Sequence, residues 1–145
     1  MTRIDFYILE DTGVDAALRF ACKLCAQVTK SLPVHIHTEH ETQALAVDEL
    51  LWSYPMHRFL PHKIVDNDTQ TPECDIHIGW QAPQLDRGAL INLSAEVPQF
   101  FGRFDRVLEI IVNETKEAGR ARYSHYRERG YPLFDHHLSD WEKAS

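Results

Sequence analysis

The stretch IDFYILEDTGVDAALRFACKLCAQV, residues 4–28, changes its hydrophobic period midway, and that change decides the fold class. Its first six residues are mostly large apolar and aromatic groups, which suit an extended strand. Glu10-Asp11-Thr12-Gly13 then supplies turn chemistry. From there Val14, Ala17, Leu18, Ala21, Cys22, Cys25 and Val28 recur at the spacing of one helix side. Thr12 is the expected N-cap, and Asp15 places a carboxylate near the positive end of the helix. A strand handed directly to an amphipathic helix opens an α/β chain.

The rest of the chain continues that pattern. Pro33 precedes a second short strand, VHIHT, and Thr38 and Glu41 have capping-box spacing ahead of a helix through Leu51. Further strands are expected in DIHIGW (75–80), ALINL (89–93) and RVLEIIV (106–112). A last helix starts near Asn113 or Thr115 and ends at Gly130. Between them LLWSYPMHRFLPHKI is broken by Pro55 and Pro61, and His136-His137 fall in an expected tail. The expected architecture is a single Rossmann-like α/β domain over residues 1–145, with a mostly parallel central sheet flanked by helices. About 131–145 are expected to be a C-terminal extension. No internal repeat or long linker divides the chain.

Composition narrows the function classes. At 145 residues, with 43% hydrophobic and 26% charged residues, the chain can bury one ordinary core. No run approaches the roughly 18 apolar residues of a membrane span, and the N-terminus lacks the pattern of a signal peptide. Three cysteines make no disulfide framework, so a cytoplasmic setting is expected. The formal charge is −7, but residues 115–130 carry five basic residues against two acidic ones, a local +3 that leaves −10 elsewhere. That acidic remainder disfavours an extended nucleic-acid track.

Several chemistries are weak on inspection. The six glycines are scattered, and no phosphate-binding glycine motif follows a strand. Cys22 and Cys25 match C-x-x-C, yet both fall mid-helix on the apolar stripe, where small buried residues are expected. His35 and His37 share one strand face with His40 nearby, a possible start of a metal site; structural or solvent-facing histidines fit as well. No nucleophile–base set stands out. Neither cofactor nor metal is expected.

Two surfaces remain. Trp52, Tyr54, Pro55, Met56, Phe59, Leu60 and Pro61 are either a loop folded over the core or a protein-binding platform. In GRARYSHYRERGY (119–131), helical spacing aligns Lys116, Arg120, Tyr123 and Arg127, with Ser124 beside them. This is either a solvated basic face or a site where arginines meet carboxylates beside an aromatic wall. The second suits an acidic peptide ending in a hydrophobic residue; single-stranded nucleic acid is the alternative.

Two blocks together resemble the chi subunit of bacterial DNA polymerase III holoenzyme. One is VDELLWSYPMHRFLPH (47–62), with its Leu51-Trp52, Pro55, Phe59 and Pro61-His62; the other is RARYSHYRERGY (120–131), similar to the family's R-x-R-Y-x-x-Y-R segment. The opening DFYIL and the overall length match as well. The resemblance implies a non-catalytic accessory subunit that links the clamp loader, through the psi subunit, to single-stranded DNA-binding protein. It places the acidic, phenylalanine-ended tail of that protein at Arg120, Tyr123 and Arg127, with Lys116 and Ser124 adjoining. It places psi, or an alternative helicase partner, at Trp52, Pro55, Phe59 and Pro61. DNA is then met only indirectly. Ser124 stands where the family can carry a basic residue, which lowers the expected tail affinity unless Lys116 compensates. The rival classes are a direct single-stranded nucleic-acid binder and, less favoured, a C-x-x-C redox or nucleotide-dependent enzyme.

Overall fold

The computed structural model describes residues 1–10, 13–55, 59–66 and 74–142. Along the chain run β1 (Arg3–Leu9), α1 (Val14–Val28), β2 (Val34–His37), α2 (Glu41–Leu51) and β3 (His62–Ile64). They are followed by β4 (Ile76–Gly79), β5 (Ala89–Asn92), β6 (Arg106–Ile111), α3 (Lys116–Glu128) and β7 (Leu133–Leu138). The strands form one sheet in the order β3-β4-β2-β5-β6-β1-β7, and every pairing is parallel. This is the expected α/β fold.

A parallel sheet needs cover on both faces, and alternation along each strand supplies two apolar surfaces. Ile36, Ile78, Ile91, Leu108 and Ile110 pack with Phe20, Leu24, Cys25, Val47 and Leu51 of α1 and α2. Ile4, Phe6, Leu90, Val107 and Ile111 pack on the other side with Tyr126 of α3 and with Phe101 and Phe104. The apolar face of α1 is wider than its spacing implied: Phe20 and Leu24 are buried too, while Val14 at its start is exposed.

Helix ends depart from the sequence reading in two places. Thr12 lies outside the described residues, and the N-cap of α1 is Gly13, with no side-chain cap. Thr38 does not cap α2. Its hydroxyl donates to the Gly79 and His40 carbonyls, and His40 takes the N-cap position, its Nδ1 accepting from the Gln43 N–H at 3.2 Å. Gln43 Oε1 reciprocates one residue further out, accepting from the Glu39 N–H at 2.8 Å. At the end of α3, Gly130 takes φ +78°, and the Gly130 and Tyr131 N–H groups bond back to the Arg127 and Tyr126 carbonyls. That paired closure favours glycine at the left-handed position.

Two strands went unread in the sequence. β3 spans only three residues, too few for alternation to register. β7 contains His136 and His137, so these are not a tail but the edge strand beside β1. Asp5 of β1 anchors it. This fully buried carboxylate accepts from Arg3, Arg106 and His136. Burial pushes Asp5 up, and the hydrogen bonds from His136, Arg3 and Arg106 outweigh it and hold the carboxyl below its ordinary value. Beyond β7, Trp141 is buried edge-to-face on Phe20, 5.1 Å between centroids, and Lys23 Nζ donates to its carbonyl.

Candidate functional site

α3 lies across β6 and β1 with two unlike sides. Gly119, Arg122 and Tyr126 are its buried residues. At Gly119 the helix comes so close to the sheet that an added Cβ would collide with the Ile111 side chain. One turn on, the Arg122 Nε donates to Glu109 Oε1 at 2.9 Å, and Arg122 Nη1 donates to the Ala95 carbonyl. Tyr126 donates its hydroxyl to Glu109 Oε2 at 2.7 Å, and Asn92 Nδ2 donates to the same oxygen at 3.0 Å. Glu109 is 0% exposed. Burial pushes its carboxyl up, against the pull of Arg122, Tyr126 and Asn92, and both burial and the Glu109 charge push the Tyr126 hydroxyl up. This network was not read from sequence. Its signal was present in RVLEIIV: one carboxylate inside an apolar strand requires a buried cationic or hydrogen-bonding partner.

The outer side of α3 carries the expected basic stripe. Lys116, Arg120, Ser124 and Arg127 are exposed, while Tyr123 is half-buried. Tyr123 packs against Phe6 at 5.0 Å between centroids. Among the described residues no ion pair engages Lys116, Arg120 or Arg127. The helix therefore presents three unneutralised cations along one rim of a fixed aromatic ring. That arrangement can pair carboxylates and shelter an apolar group beside the ring.

The aromatic block lies toward the opposite end of the sheet, between α2 and β3. Trp52 is 60% exposed and Phe59 is 78% exposed, with their rings 6.5 Å apart. His62 supports Trp52 from below at 4.5 Å, and its own ring nitrogens contact the Leu60 and Asp48 carbonyls. Pro55 is half-buried and Pro61 exposed, while Leu60 is buried and Met56 lies outside the described residues. Trp52 and Phe59 are exposed, as a protein-binding platform requires, while Leu60 is buried and Tyr54 packs in part against the core, as a loop folded over it would. Tyr54 ties the platform to the chain end, its hydroxyl 3.4 Å from Glu142, which also holds Arg19 at 2.8 Å.

Cys22, Cys25, His35 and His37 are all buried. Cys22 and Cys25 are buried and free, and burial pushes the Cys22 thiol up to about 12 and Cys25 up as well, which is unlike an activated pair. His35 and His37 do share a face, but that face is buried, not solvent-facing. Among the described residues no three His, Cys, Asp or Glu side chains are grouped so as to hold a metal, and no helix is long and apolar enough to cross a membrane.

Comparison with known proteins identifies the family. The model of the DNA polymerase III chi subunit, HolC, matches residues 1–134. The chain belongs to the DNA polymerase III chi family. The chi subunit of Pseudomonas aeruginosa is 37% identical over 141 residues, covering 95% of this chain and 98% of that protein. Those of Haemophilus influenzae and Escherichia coli are 34% and 31% identical, covering 88% and 92% of this chain and 92% and 96% of theirs. Among solved structures, a chain of an S. cerevisiae dbp5 complex superposes with a TM-score of 0.67 at 11% identity, over 97% of this chain and 43% of that one. That likeness concerns the fold alone. As a chi subunit the chain is an accessory component of DNA replication, with partner proteins in the polymerase holoenzyme. The chi-like segment R-x-R-Y-x-x-Y-R divides by geometry: Arg122 and Tyr126 hold the helix to Glu109, and Arg120 and Arg127 face out.

Proposed function

We propose that this chi subunit is a non-catalytic adaptor. It binds the acidic, phenylalanine-ended tail of single-stranded DNA-binding protein along α3 and the psi subunit at the Trp52–Phe59 platform. The observation that carries this reading is the stripe of Lys116, Arg120 and Arg127, exposed and without an ion pair among the described residues, beside half-buried Tyr123. Arg120 and Arg127 would form charge-assisted, partly bidentate hydrogen bonds to the tail's carboxylates. The terminal phenylalanine would pack beside Tyr123, and Ser124 keeps that rim neutral while Lys116 adds charge from the preceding turn.

The second surface is of a different kind. Two large aromatic rings exposed side by side, with the prolines Pro55 and Pro61 flanking, suit burial under an apolar partner. Psi is that partner in this reading, with a helicase as the alternative occupant of the same surface. Because the tail stripe and the platform lie toward opposite ends of one rigid sheet, both can be filled together. The clamp loader is thereby held near coated single strands, which raises the effective concentration of each for the other. Catalysis belongs to other subunits, the chain works in the bacterial cytoplasm at replication forks, and DNA is met only through the protein that coats it.

Fluorescence anisotropy tests this directly. A labelled acidic peptide ending in phenylalanine should bind saturably, and labelled oligo-dT of similar charge should bind far more weakly. Tight, salt-sensitive binding of oligo-dT with none of the peptide would replace the adaptor by a direct nucleic-acid binder.

A further inference from the structure

The strands β4, β2 and β5 end side by side, and beyond their C-terminal ends opens a cleft of about 380 Å³. Crevices at the carboxyl ends of parallel strands are where open α/β sheets place ligands. Trp80 follows β4 and Phe100 comes from the segment before β6, and both line the cleft. Glu39, which follows β2, and Glu96, which follows β5, line it as well, both exposed. None of its lining residues is a lysine or an arginine.

The inner end of the cleft holds an unused polar group. His37, the last residue of β2, is 9% exposed, and its Nδ1 is buried without a hydrogen-bond partner. Its ring stands edge-to-face on Phe100 at 5.0 Å. Burial lowers its pKa, with the nearby Glu39 charge pulling the other way, so at neutral pH the imidazole is uncharged and has one nitrogen able to accept. Nδ1 itself has almost no surface open to the cleft, so a guest in the cleft meets this ring at its remaining exposed edge.

We propose that this cleft receives an arginine side chain from a partner protein. A guanidinium is planar, carries five N–H donors and stacks on aromatic rings. It can lie between Trp80 and Phe100 and pair with the rim carboxylates Glu39 and Glu96. The cleft opens through exposed rim residues, including Gln99, so it takes the end of a side chain while the rest of the partner stays outside. The acidic chain, −7 overall, favours approach of such a basic segment. None of the lining residues belongs to α3 or to the Trp52–Phe59 platform. The site is therefore additional to both proposed surfaces and opposite in charge to the tail stripe.

The experiment is a titration of the isotope-labelled full chain, followed by NMR. The probes are the peptide acetyl-Gly-Arg-Gly-amide and its citrulline twin, which keeps the shape without the charge. The arginine peptide should shift the Trp80 indole N–H and the Ala95 and Gln81 amides saturably at millimolar concentration, while the citrulline peptide should not. Glu96→Gln, an exposed and structurally mild change, should weaken the arginine peptide by about two- to fivefold, the scale of an exposed ion pair. Equal shifts from both peptides, no saturable shift, or shifts confined to other surfaces would overturn the proposal. Tighter binding of free arginine amide than of the peptide would also overturn it, by assigning the cleft to a small guanidinium compound.

Discussion

Arg122 lies beneath α3 with its guanidinium 2.9 Å from the buried carboxylate of Glu109. Arg120, two residues earlier on the same helix, is exposed and forms no ion pair among the described residues. The same side chain thus serves two purposes, decided by about 200° of helical rotation. Where it meets Glu109, itself held by Tyr126 and Asn92, it fixes the helix to the sheet; where it meets solvent it leaves a charge available to a partner. The stripe holds its shape because the network beneath it allows the helix little freedom to roll. The two sides of α3 should accordingly fail in different assays.

The largest effect belongs to the buried side. Glu109→Ala strands the Arg122 charge and leaves Tyr126 and Asn92 without their acceptor. It should cost about 3–5 kcal/mol in urea unfolding. Replacing the pair together, Glu109→Leu with Arg122→Met, should recover the share owed to the stranded charge, while Tyr126 and Asn92 stay without their acceptor; a double variant as damaged as the single would mean the stranded charge is not what matters. Next in size is Gly119→Ala, whose methyl meets the Ile111 side chain and lifts the helix, at about 1–3 kcal/mol. An unchanged urea midpoint would show that α3 can yield there without cost.

A third test addresses the same sheet face through pH. His35 is fully buried with both ring nitrogens unpartnered, and burial, with the fields of His37 and His77 adding to it, lowers its pKa to about 3. The unfolded chain takes up this proton near pH 6.5 while the folded chain does not. Stability present above that pH should therefore fall as pH drops toward about 3, by about 1.4 kcal/mol per unit. His35→Leu should flatten that slope, as read from urea midpoints between the two pH values; an unaltered slope would assign it elsewhere. The smallest change is expected at the platform: Trp52→Ala should leave stability within about 0.5 kcal/mol while weakening psi binding. A large loss of stability with psi binding intact would make Trp52 a core residue instead.

The same contrast explains what could be read from the sequence. The stripe of Lys116, Arg120, Tyr123 and Arg127 was legible because it is a matter of spacing within one helix. Its anchoring was not, because Glu109 and Asn92 reach α3 only through the strand order, and spacing says nothing about which strands are neighbours. A lone glutamate in RVLEIIV was the available hint. β1, β5 and β6 announced themselves by largely apolar runs, as strands buried on both faces do, and β2 and β4 by β-branched residues alternating with histidine beside Pro or Gly. β7 did not, since an edge strand with half-exposed His136 and exposed Asp135 and His137 lacks that run. Trp141 was missed for a related reason: a single large aromatic in a polar end segment shows its packing only against α1.

The central claim is that the outer arginines bind a partner and do not hold the fold. The direct measurement is anisotropy with the acidic, phenylalanine-ended peptide on Arg120→Ala, paired with its urea midpoint. The account predicts a binding loss of about 1–3 kcal/mol, the scale of a charge-assisted hydrogen bond, at unchanged stability. Unchanged peptide affinity, or a loss that tracks unfolding, would contradict it.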